Sequence, residues 1–342
     1  MKIVYTDEHR KHFPQAEIFG GELVTPFERP SRMEYILREL KARKMNDFVT
    51  PQALDMTSVR QVHDAGYLEF LEKIWGLWTA SGYRGEVTPA CIPTRGLRQR
   101  KPKSVDGLVG YYIHSIETMI TAGTWEAACA SAAVAQTAQN LMKNGERSAF
   151  ALCRPPGHHA HGDLYGGYCF LNNAAIAAQR FLNDGAKRVA ILDVDVHHGN
   201  GTQDIFYKRD DVLFLSIHGD PDYTYPQFLG WADEIGVGKG EGFNVNYPIA
   251  PGGKYDVWGA ALADACKRIK AYAPDVLIVS LGVDTFKDDP ISPLKLESAD
   301  FITYGGVIKK LSLPTLFVME GGYAIDAIGI NTVNVLEGFE NT

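Results

Sequence analysis

The sequence predicts an α/β fold: a central, mostly parallel β-sheet flanked by helices, with the reactive residues at the carboxyl ends of the strands. Three observations carry this. Short, nearly continuous apolar runs recur along the chain, the mark of strands buried on both faces of a parallel sheet. Segments of helical periodicity separate these runs. Several of the runs end in polar residues, the edge at which a parallel sheet gathers its site.

In chain order, "KIVY" from Lys2 reads as the first strand, and "RMEYILRELKAR" from Arg32 and "YLEFLEKIWGLW" from Tyr67 as helices. The helix "TWEAACASAAVAQTAQNLMKN" from Thr124 leads into the strand "SAFALC" from Ser148, and "NNAAIAAQRFLNDG" from Asn172 into "RVAILDVD" from Arg188. The strand "VLFLSIH" from Val212, the helix "VWGAALADACKRIKAY" from Val257 and the strands "VLIVSLG" from Val276 and "TLFVME" from Thr315 complete the series. One stretch breaks the alternation. Residues 82–123 are rich in Gly and Pro yet carry aromatic and aliphatic residues, so they read as an insertion that covers the site or builds a subunit interface.

Hydrophobic residues make up 45% and charged residues 22%, ample material for a core, and 342 residues suit one large α/β domain or two. The net charge of −7 has no dense run of like sign except the basic "LRQRKPK" from Leu97 to Lys103. This argues against nucleic acid as a partner and suits a cationic ligand or plain solubility. The cysteines Cys91, Cys129, Cys153, Cys169 and Cys266 form no Cys-x-x-Cys pair, which points to a reducing compartment. Asp7 and Glu8 interrupt the start where a signal peptide would be apolar, and no run reaches about 18 apolar residues. The expectation is a cytoplasmic protein with no membrane partner.

Side chains alternate along a strand, so in "DVDVHH" Asp193, Asp195 and His197 point one way while Val194, Val196 and His198 point the other. Two carboxylates and an imidazole on one face are expensive to bury without a cation. The alternative, pairing with Lys or Arg at a solvated strand end, finds no obvious partner in the apolar flanks. In "SLGVDTFKDDP", Asp284 shares a face with Ser280 and Gly282 and is the natural third ligand. Asp288 and Asp289, ahead of Pro290, read as a solvated turn. Asp195, His197 and Asp284 fit the catalytic zinc pattern of three ligands and one position open to water. Asp193 could be a further ligand, an orienting group for an imidazole or an oxygen donor to a second cation, and spacing does not separate these. Gly282 stands where a two-metal site would want another carboxylate, which favours one divalent metal.

In "RPPGHHAHG" the Pro-Pro-Gly turn sets His158 and His159 on a constrained loop after a strand. Two imidazoles beside a metal could divide the work of base and acid, with metal ligation as the competing reading. In "MEGGYA" two glycines bring Tyr323 to the same edge, where a phenol can stabilise an oxyanion.

The motifs "RPPGHHA", "GGYCFLNNAAIAA", "LDVDVHHGNGTQDIFY", "SIHGDPDYTYP", "SLGVDTFKDDP" and "EGGY" run in order from Arg154 to Tyr323. With them the chain resembles the zinc-dependent histone deacetylase and acetylpolyamine amidohydrolase superfamily. The N-terminal "GGELVTPFERPSRMEYIL" and the insertion around "GYYIHSIETMITAGTWEAA" resemble the bacterial acetylpolyamine amidohydrolases more than the shorter eukaryotic deacetylases. The resemblance implies a single arginase-like α/β domain over residues 1–342, one zinc ion on Asp195, His197 and Asp284, and hydrolysis of an acetyl amide to acetate and an amine. It implies His159 as general base, His158 as its electrostatic partner oriented by Asp193, Asn200 behind His159, and Tyr323 on the acetyl carbonyl. It also implies structural potassium, one ion near Asp193, Ser216 and Ile217 and another near Phe206, Arg209, Val212 and Tyr247.

For the substrate the resemblance points to Gly167, Tyr168 and Tyr225 as channel walls, Tyr225 standing where phenylalanine is expected. Acetylated polyamines such as N-acetylputrescine, N-acetylcadaverine and acetylspermidine carry ammonium groups, which call for a carboxylate at a set distance from the metal. Asp106 and Glu117 in the insertion, and Glu17, are the candidates, each of which could equally be a solvated surface acid. The insertion is implied to form a homodimer that narrows the entrance. Three other readings stand beside this one: a lysine deacetylase acting on peptides or proteins, a non-catalytic sensor of acetylated amines, which would need no acid-base pair, and a two-manganese ureohydrolase, which Gly282 disfavours.

Overall fold

The computed structural model describes residues 1–94 and 98–341; residues 95–97, including Leu97 of the basic run, lie outside the described residues. Ten strands are present among the described residues: β1 (Lys2–Val4), β2 (Glu17–Phe19), β3 (Glu22–Val24), β4 (Phe48–Val49), β5 (Ser148–Ala151), β6 (Val189–Asp193), β7 (Val212–Gly219), β8 (Asn244–Ile249), β9 (Val276–Leu281) and β10 (Thr315–Met319). Ten α-helices accompany them among the described residues, alternating with the strands from β5 to β7 and again from α8 onward: α1 (Ser31–Ala42), α2 (Met56–Val62), α3 (Ala65–Ala80), α4 (Val105–Tyr111), α5 (Thr124–Lys143), α6 (Asn173–Asn183), α7 (Asn200–Phe206), α8 (Tyr255–Tyr272), α9 (Ser298–Lys309) and α10 (Ile325–Glu340).

Eight strands form one sheet in the order β4-β1-β5-β10-β9-β6-β7-β8, and every pairing in it is parallel. β2 and β3 form a separate antiparallel hairpin. Alternation divides the apolar residues into two cores. Val189 and Ile191 of β6 and Val276 and Ile278 of β9 pack with α3, α5 and α6 on one face. Ala190, Leu192, Leu277, Val279 and Leu281 pack with α1, α8, α9 and α10 on the other. A parallel sheet covered on both sides has no polar face, so the continuous apolar runs of the sequence follow directly.

The chain leaves β5 and re-enters the sheet at β6, with β10 and β9 lying between them. Connections that diverge in this way open a crevice beyond the carboxyl ends of the strands. The insertion is packed rather than loose: it contains α4, pairs Val87 with Ile120, and bridges Ile113 to Tyr165. No described helix is long and apolar enough to cross a membrane.

Candidate active site

β6 ends at Asp193, earlier than the spacing predicts, and the chain then bends over residues 195–197, where the Asp195 N–H donates to Asp193 Oδ1 at 3.1 Å and the His197 N–H to Asp195 Oδ1 at 2.9 Å. Val194 and Val196 lie in the apolar core as expected. On the opposite side, ligand-capable atoms of Asp195, His197 and Asp284 lie within 4.8 Å of one another, all buried. His197 Nδ1 stands 3.1 Å from Asp195 Oδ1 and 3.3 Å from Asp284 Oδ2. Backbone donors hold the other oxygens: Gly321 N–H on Asp195 Oδ2 at 2.8 Å, and Val196 N–H on Asp284 Oδ1 at 2.8 Å. Asp284 Oδ2 is buried without a hydrogen-bond partner.

Burial pushes the Asp284 carboxyl up to about 7, and the negative charge of Asp195 adds to it. Against the effect of burial, the hydrogen bond His197 makes to Asp195 and the adjacent Asp284 carboxylate raise the ring to about 10. An orphaned carboxylate oxygen facing a second buried acid is a cation site by its chemistry, and two oxygens with one nitrogen match the donor set of a catalytic divalent metal. The residues fit the group. Gly282 and Gly321 make room for it, because a Cβ at 282 would overlap the Asp195 carboxylate and one at 321 would stand 2.5 Å from Asp195 Oδ2. The second carboxylate a two-metal site would want at 282 therefore has no space.

The histidine doublet sits over this cluster, its rings 3.9 Å apart. His158 Nδ1 donates to Asp193 Oδ2 at 2.9 Å, and His159 Nδ1 stands 2.7 Å from Asn200 Oδ1. Burial opposes charge on both rings, but Asp193 and Asp195 overcome it at His158 and hold it at about 10. At His159 burial wins and the neighbouring His158 reinforces it, so the ring titrates well below the ordinary histidine range. One ring is charged and the other neutral, as an acid and a base should be. Glu320 secures the loop beneath them, accepting from the N–H groups of Gly157 (2.7 Å) and His158 (3.1 Å).

Tyr323 follows β10, its ring 5.7 Å from Tyr168. Its backbone N–H donates to Asp289 Oδ2 at 2.7 Å, and that of Ala324 donates to the same oxygen at 3.0 Å. Asp289 is therefore not part of a solvated turn: it is 6% exposed and anchors the tyrosine loop. Arg32 fixes the loop from below, donating to the carbonyls of Gly322 (2.7 Å) and Glu320 (2.6 Å). A buried carboxylate, Glu28, holds Arg32 at 2.9 Å and Arg154 at 2.8 Å. Against burial, these two guanidinium groups keep Glu28 down at about 2. Neither Arg32 nor Glu28 stands out in the sequence; the only available signal was a charged residue at an apolar position of α1.

A cavity of about 470 Å³ opens onto this cluster, with His159, His197 and Tyr323 in its wall beside Gly167, Tyr168, Tyr225 and Glu117. Tyr225 stands edge-on to His159 at 4.9 Å. Gly167, at φ +56°, passes so near the His159 ring that a Cβ would overlap it. Glu117 accepts from the Gly167 N–H at 3.0 Å and from the Ser115 hydroxyl. Glu17 lies behind the wall, accepting from Tyr168 Oη at 3.1 Å and from the Phe27 N–H at 3.2 Å. Burial pushes Glu17 up to about 7.

Asp106, half-buried on α4, does not line the cavity within this chain. Two further expectations need correction. Tyr247 pairs with Ile217, five residues along β7 from Val212. At about 3.3 Å per residue that separation is roughly 16 Å, so Tyr247 does not join Phe206, Arg209 and Val212 around one ion. His198 leaves the packed face because the strand has already ended; its Nε2 lies 3.0 Å from Gln203 Oε1 and its ring 4.6 Å from His218. Asp193 and Ser216 do stand side by side across β6 and β7, with Ile217 next along the strand.

Residues 26–339 match the histone deacetylase domain family. The chain belongs to this family. Its relatives include acetylpolyamine amidohydrolase 1 of Pseudomonas aeruginosa, 57% identical over 99% of both chains, and acetylpolyamine amidohydrolase of Mycoplana ramosa, 52% identical over 99% of both. Among solved structures, an acetylpolyamine aminohydrolase of Burkholderia pseudomallei superposes with a TM-score of 0.94 at 37% identity, covering 99% of this chain and 98% of that one. The arginase-like single α/β domain and the hydrolytic deacetylase chemistry of the family agree with the geometry above.

Proposed function

We propose that this protein hydrolyses the acetyl amide of acetylated diamines and polyamines, releasing acetate and the free amine, with one zinc ion held by Asp195, His197 and Asp284. The observation that carries the substrate class is Glu117, a carboxylate in the wall of the same cavity that exposes His159, His197 and Tyr323. When bound, the metal polarises the acetyl carbonyl and brings the pKa of a water down to about 7. His159, kept neutral, is placed to accept a proton at Nε2. His158, kept charged by Asp193, balances the developing negative charge and, with His159, returns a proton to the leaving amine. The Tyr323 hydroxyl donates to the oxyanion, its backbone fixed by Asp289 and Arg32 so that the donor is in place before the charge forms. Tyr168 and Tyr225 form flat walls that suit an unbranched alkyl chain, and Glu117 takes the distant ammonium.

The same reading places the protein in the cytoplasm, consistent with its free thiols, and joins two copies through the insertion at 82–123, where Ile92 and Ile116 are exposed. Potassium is expected near Asp193, Ser216 and Ile217. The substrate assignment is tested with Glu117→Gln. A charge-assisted hydrogen bond contributes about 1.5–3 kcal/mol, so kcat/KM for N-acetylcadaverine should fall roughly 10- to 100-fold while that for a neutral N-alkylacetamide of equal length holds. Equal losses on both would remove Glu117 as the ammonium partner.

A further inference from the structure

Asn200 is the first residue of α7, and its side chain touches two histidines, not one. Oδ1 faces His159 Nδ1 at 2.7 Å, and Nδ2 faces His161 Nε2 at 2.9 Å. The far nitrogen of His161, Nδ1, lies 3.3 Å from Asp204 Oδ2, whose side chain is 51% exposed. A continuous chain thus runs from the surface to the base: Asp204, His161, Asn200, His159.

A carboxamide, unlike a carboxylate, presents a different group on each side. Rotated by half a turn, Asn200 would offer N–H to His159 Nδ1, and the proton of that neutral ring would move to Nε2, the nitrogen that must accept. Something has to fix the rotation. The Asp204 carboxylate only accepts, so His161 carries its hydrogen on Nδ1 and leaves Nε2 as an acceptor. That acceptor takes the Asn200 N–H, which turns Oδ1 toward His159 and keeps the His159 hydrogen on Nδ1. The Asn200 backbone does not depend on His161. The Thr202 N–H donates to the His158 carbonyl at 3.1 Å, and Gly201 packs so closely on Ala160 that a Cβ would overlap its carbonyl. Only the rotation of the amide is left to the His161 ring, whose own backbone N–H is engaged by Leu164 O at 2.9 Å.

We propose that His161, oriented by Asp204, is a positioning residue that locks the Asn200 carboxamide and so keeps His159 Nε2 free to act as the base. The proposal rests on the hydrolytic reading above only for the use made of that nitrogen.

The test is a pair of backgrounds in the metal-loaded enzyme. With Asn200 present, His161→Ala should lower kcat several-fold, as the roughly tenfold shift in rotamer equilibrium that one neutral hydrogen bond imposes lets the Nε2–H form of His159 accumulate, with KM changing less than about twofold. With Asn200→Asp, a symmetric acceptor that needs no orientation, adding His161→Ala should change kcat by less than about twofold. Asp204→Asn, at the exposed end of the chain, should give a smaller loss in the same direction as His161→Ala. The 15N ring shifts of His159 give a readout that needs no substrate: Nδ1–H in the unaltered enzyme, with an Nε2–H population appearing in His161→Ala. An equal loss of kcat in both backgrounds would mean a purely structural role and overturn the proposal. So would an unchanged His159 tautomer in His161→Ala. An enzyme inactive on every acetyl amide but showing the tautomer change would fail the hydrolytic reading and keep this one.

Discussion

Gly321→Ala places a methyl group against the two carboxylates of the metal cluster. The glycine does not have a positive φ, so alanine fits the backbone, and the N–H that holds Asp195 is retained. The added Cβ would stand 2.5 Å from Asp195 Oδ2 and closer still to Asp284 Oδ2, where ordinary contact begins at 3.4 Å. The Asp195 carboxylate must therefore retreat by about 0.9 Å, and that of Asp284 by more. Metal–ligand distances tolerate only about ±0.2 Å, so two of three ligands leave their positions together. Changes to the groups around a ligand cost about 10- to 100-fold in metal affinity, and direct displacement belongs at the upper end. We expect zinc affinity to fall at least about 100-fold, close to 3 kcal/mol. Competition against a chromophoric chelator measures this, with the metal-free thermal midpoint confirming that the variant folds. A folded Gly321→Ala protein binding zinc within about threefold of the unaltered chain would show that these carboxylates do not share a cation.

The two doublets separate in a second experiment: His159→Ala should keep stoichiometric zinc while losing about 10²- to 10⁴-fold in kcat, whereas His197→Ala should lose the zinc itself, by metal analysis of dialysed protein. Because burial and the charge of His158 depress His159, the acid limb of kcat/KM should fall below pH 6.5; a limb at or above that value would place the base elsewhere. The folded pKa of Glu28, about 2, lies below its ordinary 4.5, so its contribution is present above pH 4.5 and is lost as pH falls toward 2. That difference corresponds to about 3 kcal/mol, so the gap in unfolding free energy between the unaltered protein and Glu28→Gln should shrink between pH 5 and 3, and a constant gap would contradict it. Asp289→Ala, which leaves the N–H groups of Tyr323 and Ala324 unpaired, should lower kcat about tenfold with zinc retained; full activity would release Tyr323 from this anchor.

Strands β1, β5, β6, β7, β9 and β10 were legible because burial on both faces demands continuous apolar runs. β8 was not: "NVNYPI" alternates polar and apolar residues and contains Pro248, as the outermost strand of a sheet can. β4, two residues long, leaves no pattern at all. In the site, alternation pointed to Asp195, His197 and Asp284 together although the strands stop short of them; Val194, Val196 and Val283 do pack in the core, and the bent chain still brings the three polar side chains into one cluster. The residues that escaped are those whose partners are distant in sequence. Asp289 looked solvated beside Asp288 and Pro290, and only its contact with Tyr323, thirty-four positions on, buries it. Glu28, Arg32 and Arg154 form one ion cluster across 126 positions, which no local spacing can announce. His161 carries no signal of its own in the sequence, because its partner Asn200 lies 39 positions away.

The most direct test is the ratio of kcat/KM for N-acetylputrescine to that for an acetyl-lysine peptide, measured on zinc-reconstituted protein by acetate release. The cavity with Glu117 in its wall predicts a ratio well above one, falling toward one in Glu117→Gln. A large preference for the peptide, unaffected by that substitution, would make this chain a protein deacetylase and contradict the assignment.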